Sequence, residues 1–376
     1  MKVGIITYHR AINYGAFLQA YALCEKLNSE INIDAEIIDF SMKKEQLLYG
    51  RKPLKNFIKH PLINFNRAKV LKIQKSLFEK DRKKMRLSND HMESDNYKDF
   101  INFVVKQNYD LVICGSDEVW KLDGIRGFPT PYWLIGNLNS RKFAYAVSSR
   151  SDFSILSESN SKLLKQAIND FEYIGVRDSL TFNEVKKVCN DIANVNMCCD
   201  PTFLYDYHPS ISCGKELLNK IIPPGNTKKV IGVMVEDYNL SNKIYKALSK
   251  KYCLVSLYLW QPKMINGCKL SPFEWIDVMA ACDCVISSFF HAACFAIKHK
   301  TPNITLGTID KRDKLEELVK YINNSNFQVY NSEIVFSDNF VHIVDNSIKE
   351  GFKPIINEEN LNDGYYKMIE CINSVV

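Results

Sequence analysis

The sequence predicts an α/β protein of two domains, each built on a parallel sheet with helices on both faces. Three observations predict it. Short apolar runs alternate with segments of helical spacing along the chain, the pattern of parallel strands joined by crossover helices. At 376 residues the chain exceeds one ordinary core and falls short of three. A helix-breaking stretch, Ile221-Ile222-Pro223-Pro224-Gly225-Asn226, separates two parts that each run the pattern afresh. The expected domains are therefore 1–222 and 223–376.

Residues 3–7 read as the first strand, residues 9–15 as a polar turn, and about 16–27 as a helix. A second strand covers 35–40, and a third, 110–114, runs into Gly115-Ser116-Asp117. Residues 143–147 and 173–176 continue the series. Beyond the breaker come a strand at 230–235, a helix near 239–250 and a strand at 253–258. Ser271, Pro272 and Glu274 then spell a capping serine, a first-turn proline and a third-position glutamate, which launch a helix through about 281. A strand at 284–286, a helix carrying His291 and a strand at 304–306 complete the series. The tail from Glu358 reads as a terminal helix free to cross back onto the first domain.

Composition narrows the classes. Hydrophobic residues at 46% and charged residues at 24% are globular values, and no window reaches the roughly 18–20 apolar residues of a membrane span. The opening residues pass directly into a strand, without the pattern of a signal peptide, so the expected location is cytoplasmic. Twelve cysteines are scattered, several within apolar runs (Cys114, Cys284, Cys294), and none forms a C-x-x-C pair, which favours buried reduced thiols over zinc or redox work.

The charge is local. Between Lys43 and Arg86 stand 15 Lys and Arg against 3 Asp and Glu, an excess of +12 in a chain whose net charge is +6. Apolar residues interleave with the charges, and Pro53 and Pro61 break the stretch, so it reads as amphipathic helices inserted in the first domain. Three readings stand: a solvated helical insertion, an anionic membrane surface at which the protein sits peripherally, or nucleic acid. No nucleic-acid motif accompanies the charge, so nucleic acid ranks last.

The chain has no G-x-G-x-x-G, P-loop, G-x-S-x-G, H-E-x-x-H or D-x-D, which removes support from nucleotide hydrolysis, serine hydrolysis, zinc proteolysis and metal-held sugar nucleotides. Ligands of open α/β sheets sit beyond the carboxyl ends of the strands. The weight therefore falls on residues 9–15, 115–117, 177–179 and 287–292. His291 falls in the first turn of a helix, where free N–H groups and the dipole favour an anion and an imidazole can donate a proton; capping or packing there is the alternative. Arg177 can fork onto phosphate or carboxylate, or make a surface ion pair. Asn13, Tyr14 and Gly15 suit sugar hydroxyls, or equally a tight turn and helix cap. Asp117 either accepts a hydroxyl proton or caps the segment after it.

These residues, in order, resemble the polysaccharide pyruvyl transferases. Gly4 to Thr7 followed by Asn13 to Leu23 looks like the family's opening strand, loop and helix. Gly115-Ser116-Asp117-Glu118-Val119-Trp120 is similar to its G-S-D-x-V-W block, and Tyr145-Ala146-Val147-Ser148 to its Y-A-x-S strand end. Val176-Arg177-Asp178, Asp200-Pro201-Thr202 and Ser287 to Ala292 resemble its V-R-[DE], D-P-T and S-F-H-G motifs. The stretch from Lys43 to Arg86 has no comparable match. The resemblance implies two Rossmann-like domains of GT-B-like type. It also implies transfer of the enolpyruvyl carbons of phosphoenolpyruvate onto two sugar hydroxyls, giving a pyruvate ketal and phosphate, with no metal or further cofactor. On that reading His291, Arg177 and Asp117 are catalytic, and Arg177, Ser287, Ser288, His291 and Ala292 bind the donor. His9, Asn13, Tyr14, Gly15, Ser116 and Asp117 bind the acceptor, a hexose on a lipid diphosphate at the inner membrane face. Some members place an arginine two residues before the histidine; here Phe289 stands there, and Ala292 replaces a common glycine, which moves the expected phosphate binding toward Arg177 and the helix N-terminus. The rival readings are a GT-B glycosyltransferase using a nucleotide sugar and a non-catalytic member that binds glycan.

Overall fold

The structure is a computed structural model that describes residues 1–45, 61–122, 127–190, 194–309, 311–322 and 327–374. The chain divides into two compact units. Met1–Arg51, Met85–Asp206 and Glu358–Val376 form the first, and Lys52–Lys84 with Tyr207–Asn357 the second.

The strands of the first unit are β1 (Lys2–Ile6), β2 (Asp34–Ile37), β3 (Phe40–Ser41), β4 (Met92–Glu93), β5 (Leu111–Cys114), β6 (Arg141–Val147), β7 (Tyr173–Val176) and β8 (Val195–Met197). Six of them make one sheet in the order β2-β1-β5-β6-β7-β8, and β3 pairs with β4 separately. Every pairing in that sheet is parallel, with Val3 beside Leu111 and Ile5 beside Ile113. The strands are apolar on both faces because both faces are covered: Val3, Ile5, Ile6 and residues 111–114 are fully buried. Between β6 and β7 the register slips at Ala144 and Val147, where Ala146 takes φ 50°, so the end of β6 is turned before it reaches Ser148.

The helix Glu358–Asn373 belongs to this unit, as the reading of a tail crossing back requires. Tyr365 is fully buried with its ring edge-on to Tyr145 at 5.9 Å, and its hydroxyl meets Glu30 at 3.1 Å. Arg141 donates to the carbonyls of Cys371 and Ile372, both at 2.9 Å, and so caps the helix C-terminus with a cation. Gly364 allows the close approach: a Cβ there would lie 2.4 Å from the Met197 carbonyl oxygen.

The second unit adds β9 (Val230–Met234), β10 (Cys253–Ser256), β11 (Ile265–Asn266), β12 (Cys284–Ser287), β13 (Asn303–Gly307) and β14 (Val329–Asn331). They form one parallel sheet in the order β11-β10-β9-β12-β13-β14. The helix Pro272–Ala281 starts with the capping box read from Ser271 and Glu274. The division between units falls after Asp206, ahead of the Pro223-Pro224 stretch where the sequence reading put it. The reason is the helix Ile211–Ile221, which packs on Pro272–Ala281 so closely that a Cβ on Gly214 would sit 2.1 Å from the Asp277 carbonyl oxygen. Asp277 also accepts the Ser210 N–H at 2.7 Å.

The basic stretch is likewise placed differently from the expected insertion in the first domain. Its residues 46–60 lie outside the described residues, and most of the rest forms one helix, Pro61–Arg82, within the second unit. Polar side chains anchor it there. Gln74 donates to the carbonyls of Tyr258 (3.1 Å) and Cys268 (2.8 Å), Arg67 to that of Trp260 (3.2 Å), and Asp81 accepts the Phe273 N–H (3.2 Å). All twelve cysteines are free thiols and nine are buried, Cys213 alone being exposed. No described helix is long and apolar enough to cross a membrane.

Candidate functional site

In the first unit the carboxyl ends of β1, β5, β6 and β7 carry a connected polar cluster. Gly115 stands at φ 135°, and a Cβ would lie 2.0 Å from the Tyr145 carbonyl oxygen, so only glycine leaves β5 in this direction. The Gly115–Ser116 peptide is cis, and Asp117 holds a left-handed φ of 86°. Gln19 of the first helix, Tyr14–Asn28, accepts the Ser116 N–H at 3.1 Å. Its amide donates to Thr7 Oγ1 at 2.8 Å, and Thr7 donates to the Ser116 carbonyl at 3.2 Å. That ring of bonds uses the Ser116 backbone and leaves its Oγ buried with no hydrogen-bond partner among the described residues. A buried hydroxyl without a partner costs roughly 1–3 kcal/mol, so the geometry is one that a ligand or a water would relieve.

Arg177, directly after β7, is 6% exposed and lies between two carboxylates, Asp117 at 3.3 Å and Asp200 at 2.7 Å. Burial opposes its charge, but Asp117 and Asp200 together outweigh that and hold its pKa above the ordinary value. Asp200 is itself fixed, since its other oxygen takes the Thr202 N–H at 3.1 Å and hydroxyl at 2.7 Å. The guanidinium is thus a buried clamp rather than the surface ion pair of the sequence reading, and it sets where the Asp117 carboxylate stands.

The other acceptor candidates separate from this cluster. Asn13 caps the helix Tyr14–Asn28, its Oδ1 accepting from Gly15 N (3.0 Å) and Ala16 N (3.3 Å), and Tyr14 and Gly15 are buried in the first turn. His9 is fully buried, with Nε2 3.0 Å from Asp39 and Nδ1 3.2 Å from the Thr7 carbonyl. Burial pulls the imidazole pKa down against the raising effect of Asp39. Asp39 also takes a two-pronged bond from Arg10, both at 2.6 Å; burial raises its pKa, and His9 with Arg10 more than reverses this, so the carboxyl lies well below its ordinary range.

In the second unit the matching position is the end of β12. Ser287 and Ser288 are each 3% exposed; the Ser287 hydroxyl accepts the Phe289 N–H at 2.9 Å, and Ser288 N donates to the Met234 carbonyl at 3.1 Å. Phe289 occupies the N-cap of the helix Phe290–Lys298 and makes no side-chain cap. His291 is half-buried in that turn, edge-on to Phe290 at 5.3 Å, whereas Ala292 is 1% exposed and faces the core. A cation also reaches this end, from the segment after β13: Lys311 lies 4.8 Å over the Phe289 ring and 3.5 Å from Glu236. Arg177 and His291 belong to different units.

Sequence reasoning missed Gln19, Asp200 as the partner of Arg177, and Lys311. Gln19 had a signal, being the one polar side chain in an apolar helix run; the other two depend on which strands are neighbours. No group of acidic, histidine or cysteine side chains with metal-binding geometry occurs among the described residues.

The solved structures most similar to the chain include the UDP-GlcNAc 2-epimerase of Methanocaldococcus jannaschii, with a TM-score of 0.57 at 12% identity over 100% of both chains. Another is the UDP-GlcNAc 2-epimerase of Neisseria meningitidis bound to UDP-GlcNAc, at 0.53 and 11% over 99% of both. At that identity the similarity is one of fold, the two-domain GT-B type. No curated protein matches the sequence. A family described as polysaccharide pyruvyl transferase matches residues 13–310, well over half the chain. The match takes in most strands of both sheets and the ends of β5, β7 and β12, and on it the chain belongs to the polysaccharide pyruvyl transferase family.

Proposed function

We propose that this chain transfers pyruvate from phosphoenolpyruvate onto two hydroxyls of a hexose in a lipid-linked polysaccharide precursor, in the cytoplasm. The observation that carries the reading, beside family membership, is the N-terminus of Phe290–Lys298 directly after β12, with His291 in its first turn and Lys311 beside Phe289. Phosphate and carboxylate are anions, and the positive end of a helix dipole together with an imidazole and an ammonium suits such a donor. His291 would protonate the methylene carbon or stabilise the departing phosphate, and Ser287 and Ser288 would shape the loop around the donor. Protonation of that carbon makes its neighbour electrophilic. One acceptor hydroxyl then forms a C–O bond there, the C–O bond to phosphate breaks, and the second hydroxyl closes the ketal. One hydroxyl proton balances the new methyl group and the other leaves with phosphate.

In the first unit, Ser116 and Asp117 would receive the acceptor hydroxyls, with Arg177 positioning Asp117. The single test is donor choice. Isotope-labelled phosphoenolpyruvate should yield labelled product and phosphate with a hexose acceptor, while a panel of nucleotide sugars is left intact. Consumption of a nucleotide sugar instead would sink the proposal in favour of glycosyl transfer.

A further inference from the structure

The helix Pro61–Arg82 carries apolar side chains on its outward side as well as its buried one. A helix laid on a domain normally buries its apolar stripe and presents charge to water. Here the buried side mixes polar with apolar: Asn64, Gln74, Asp81 and Arg82 are each 5% exposed or less, alongside Val70 and Phe78, and Ile63, Leu71 and Leu77 are half-buried. The bonds of Gln74 and Asp81 to backbone groups of Tyr258, Cys268 and Phe273 do the anchoring. The outward side carries Leu62 at 77% exposure, Phe65 at 54% and Ile73 at 39%. At about 100° per residue, Leu62, Phe65, Lys69, Lys72, Ile73 and Lys80 fall within a single arc of roughly 100°. The lysines in it are exposed, and the Lys69 ammonium lies 4.4 Å over the Phe65 ring. The helix's own acids do not neutralise them: Glu79 is paired with Arg82, and Asp81 is buried against Lys84 and the Phe273 N–H.

We infer that this outward face docks on an anionic phospholipid surface. Three bulky apolar side chains among lysines on one exposed arc are what an interfacial helix presents: the rings and branched chains enter the headgroup boundary while the ammonium groups reach phosphates on flexible stems. The charge complementarity selects this occupant, since a second copy of the chain would bring the same excess of lysines against this one. The local excess of +12 from Lys43 to Arg86 acts in the same direction. The inference stands apart from the donor chemistry, because vesicle binding is measured without substrate.

The full chain is floated with phosphatidylcholine vesicles and with vesicles that also contain phosphatidylglycerol, at low and physiological salt. It should partition to the phosphatidylglycerol vesicles, and less so as salt rises. The pair Lys69→Glu and Lys72→Glu should lower the partition coefficient at least about tenfold. The pair Leu62→Ser and Phe65→Ser should lower it at both salts, and unchanged melting temperatures would show both variants folded. Should a variant fail to fold, the lipid and salt dependence of the unsubstituted chain still decides. Failure to bind either vesicle at low salt, or binding equal in both, overturns the inference. So does a concentration-dependent dimer lost on Leu62→Ser with Phe65→Ser, which would assign the face to a second copy. Retention of nucleic acid without vesicle binding overturns it as well.

Discussion

Arg177 shows how a residue singled out for ligand binding acquires a different first duty. Its guanidinium holds Asp117 and Asp200 in a buried site, so removing it leaves two carboxylates without their counter-ion. Arg177→Met should therefore cost about 3–5 kcal/mol in urea unfolding, and Arg177→Lys should recover only part of it, because a single ammonium cannot fork onto both acids. A loss under about 1 kcal/mol would show the clamp to be unimportant. His9 and Asp39 give a second expectation, in pH. Burial lowers the His9 pKa in the folded state, so the unfolded chain binds more protons and stability declines as pH falls below about 6.5. Asp39 has a depressed pKa; its contribution is complete above about 4 and fades as pH falls further. Unfolding free energy should thus drop from pH 7 to pH 5, and His9→Gln should flatten that part of the curve. An unchanged slope in the variant would assign the loss elsewhere. The sequence named Arg177, Asp117 and His9 because strand ends are legible in an α/β chain. It could not show which acids would meet them, since Asp200 lies 23 positions after Arg177 and Asp39 lies 30 after His9.

The strands were the most readable elements. Runs such as Leu111–Cys114 and Cys284–Ser287 are buried along their whole length, and a strand covered on both faces has to be apolar throughout. Caps were readable too: Ser271 with Glu274 formed the expected box, and Asn13 took the cap reading of its two. The helix Pro61–Arg82 was misplaced because its anchoring residues are glutamine, arginine and aspartate, which periodicity counts as solvent-facing. Polar anchors differ from apolar ones in how they fail. Gln74→Leu keeps the volume but strands the Tyr258 and Cys268 carbonyls, and should cost about 1–3 kcal/mol by denaturant titration. A neutral result would mean water serves those carbonyls equally well. The terminal helix makes a contrasting case. Gly364→Val would drive side-chain carbons into the Met197 carbonyl and the Cys198 sulfur, and should lift the helix. Limited proteolysis should then release a fragment beginning near Glu358, and a digestion pattern matching the unsubstituted protein would show the contact to be slack.

For the molecule as a whole, length, the Pro-Pro break and the alternation of strands with helices sufficed for two parallel α/β units. The point of division could not be read from them, because the breaker lies after a helix that packs forward on Pro272–Ala281. The proposed chemistry places its strongest demand on the second unit. His291→Ala should reduce turnover with phosphoenolpyruvate at least about tenfold while leaving the melting temperature within a few degrees. Turnover near that of the unsubstituted protein would dismiss His291 from the reaction. The interleaving of the units in sequence has a further consequence, for synthesis. The chain passes from one unit to the other after Arg51, Lys84, Asp206 and Asn357. On the ribosome, Pro61–Arg82 emerges well before Tyr258, Cys268 and Phe273, the residues that receive its polar side chains. The first sheet, for its part, waits for Glu358–Asn373 before Tyr145 and Tyr173 are covered. The second unit is thus complete at Asn357 while the first still waits for its last helix, the reverse of the usual amino-to-carboxyl order, so chains stalled just before Glu358 should be open to proteases in the first unit.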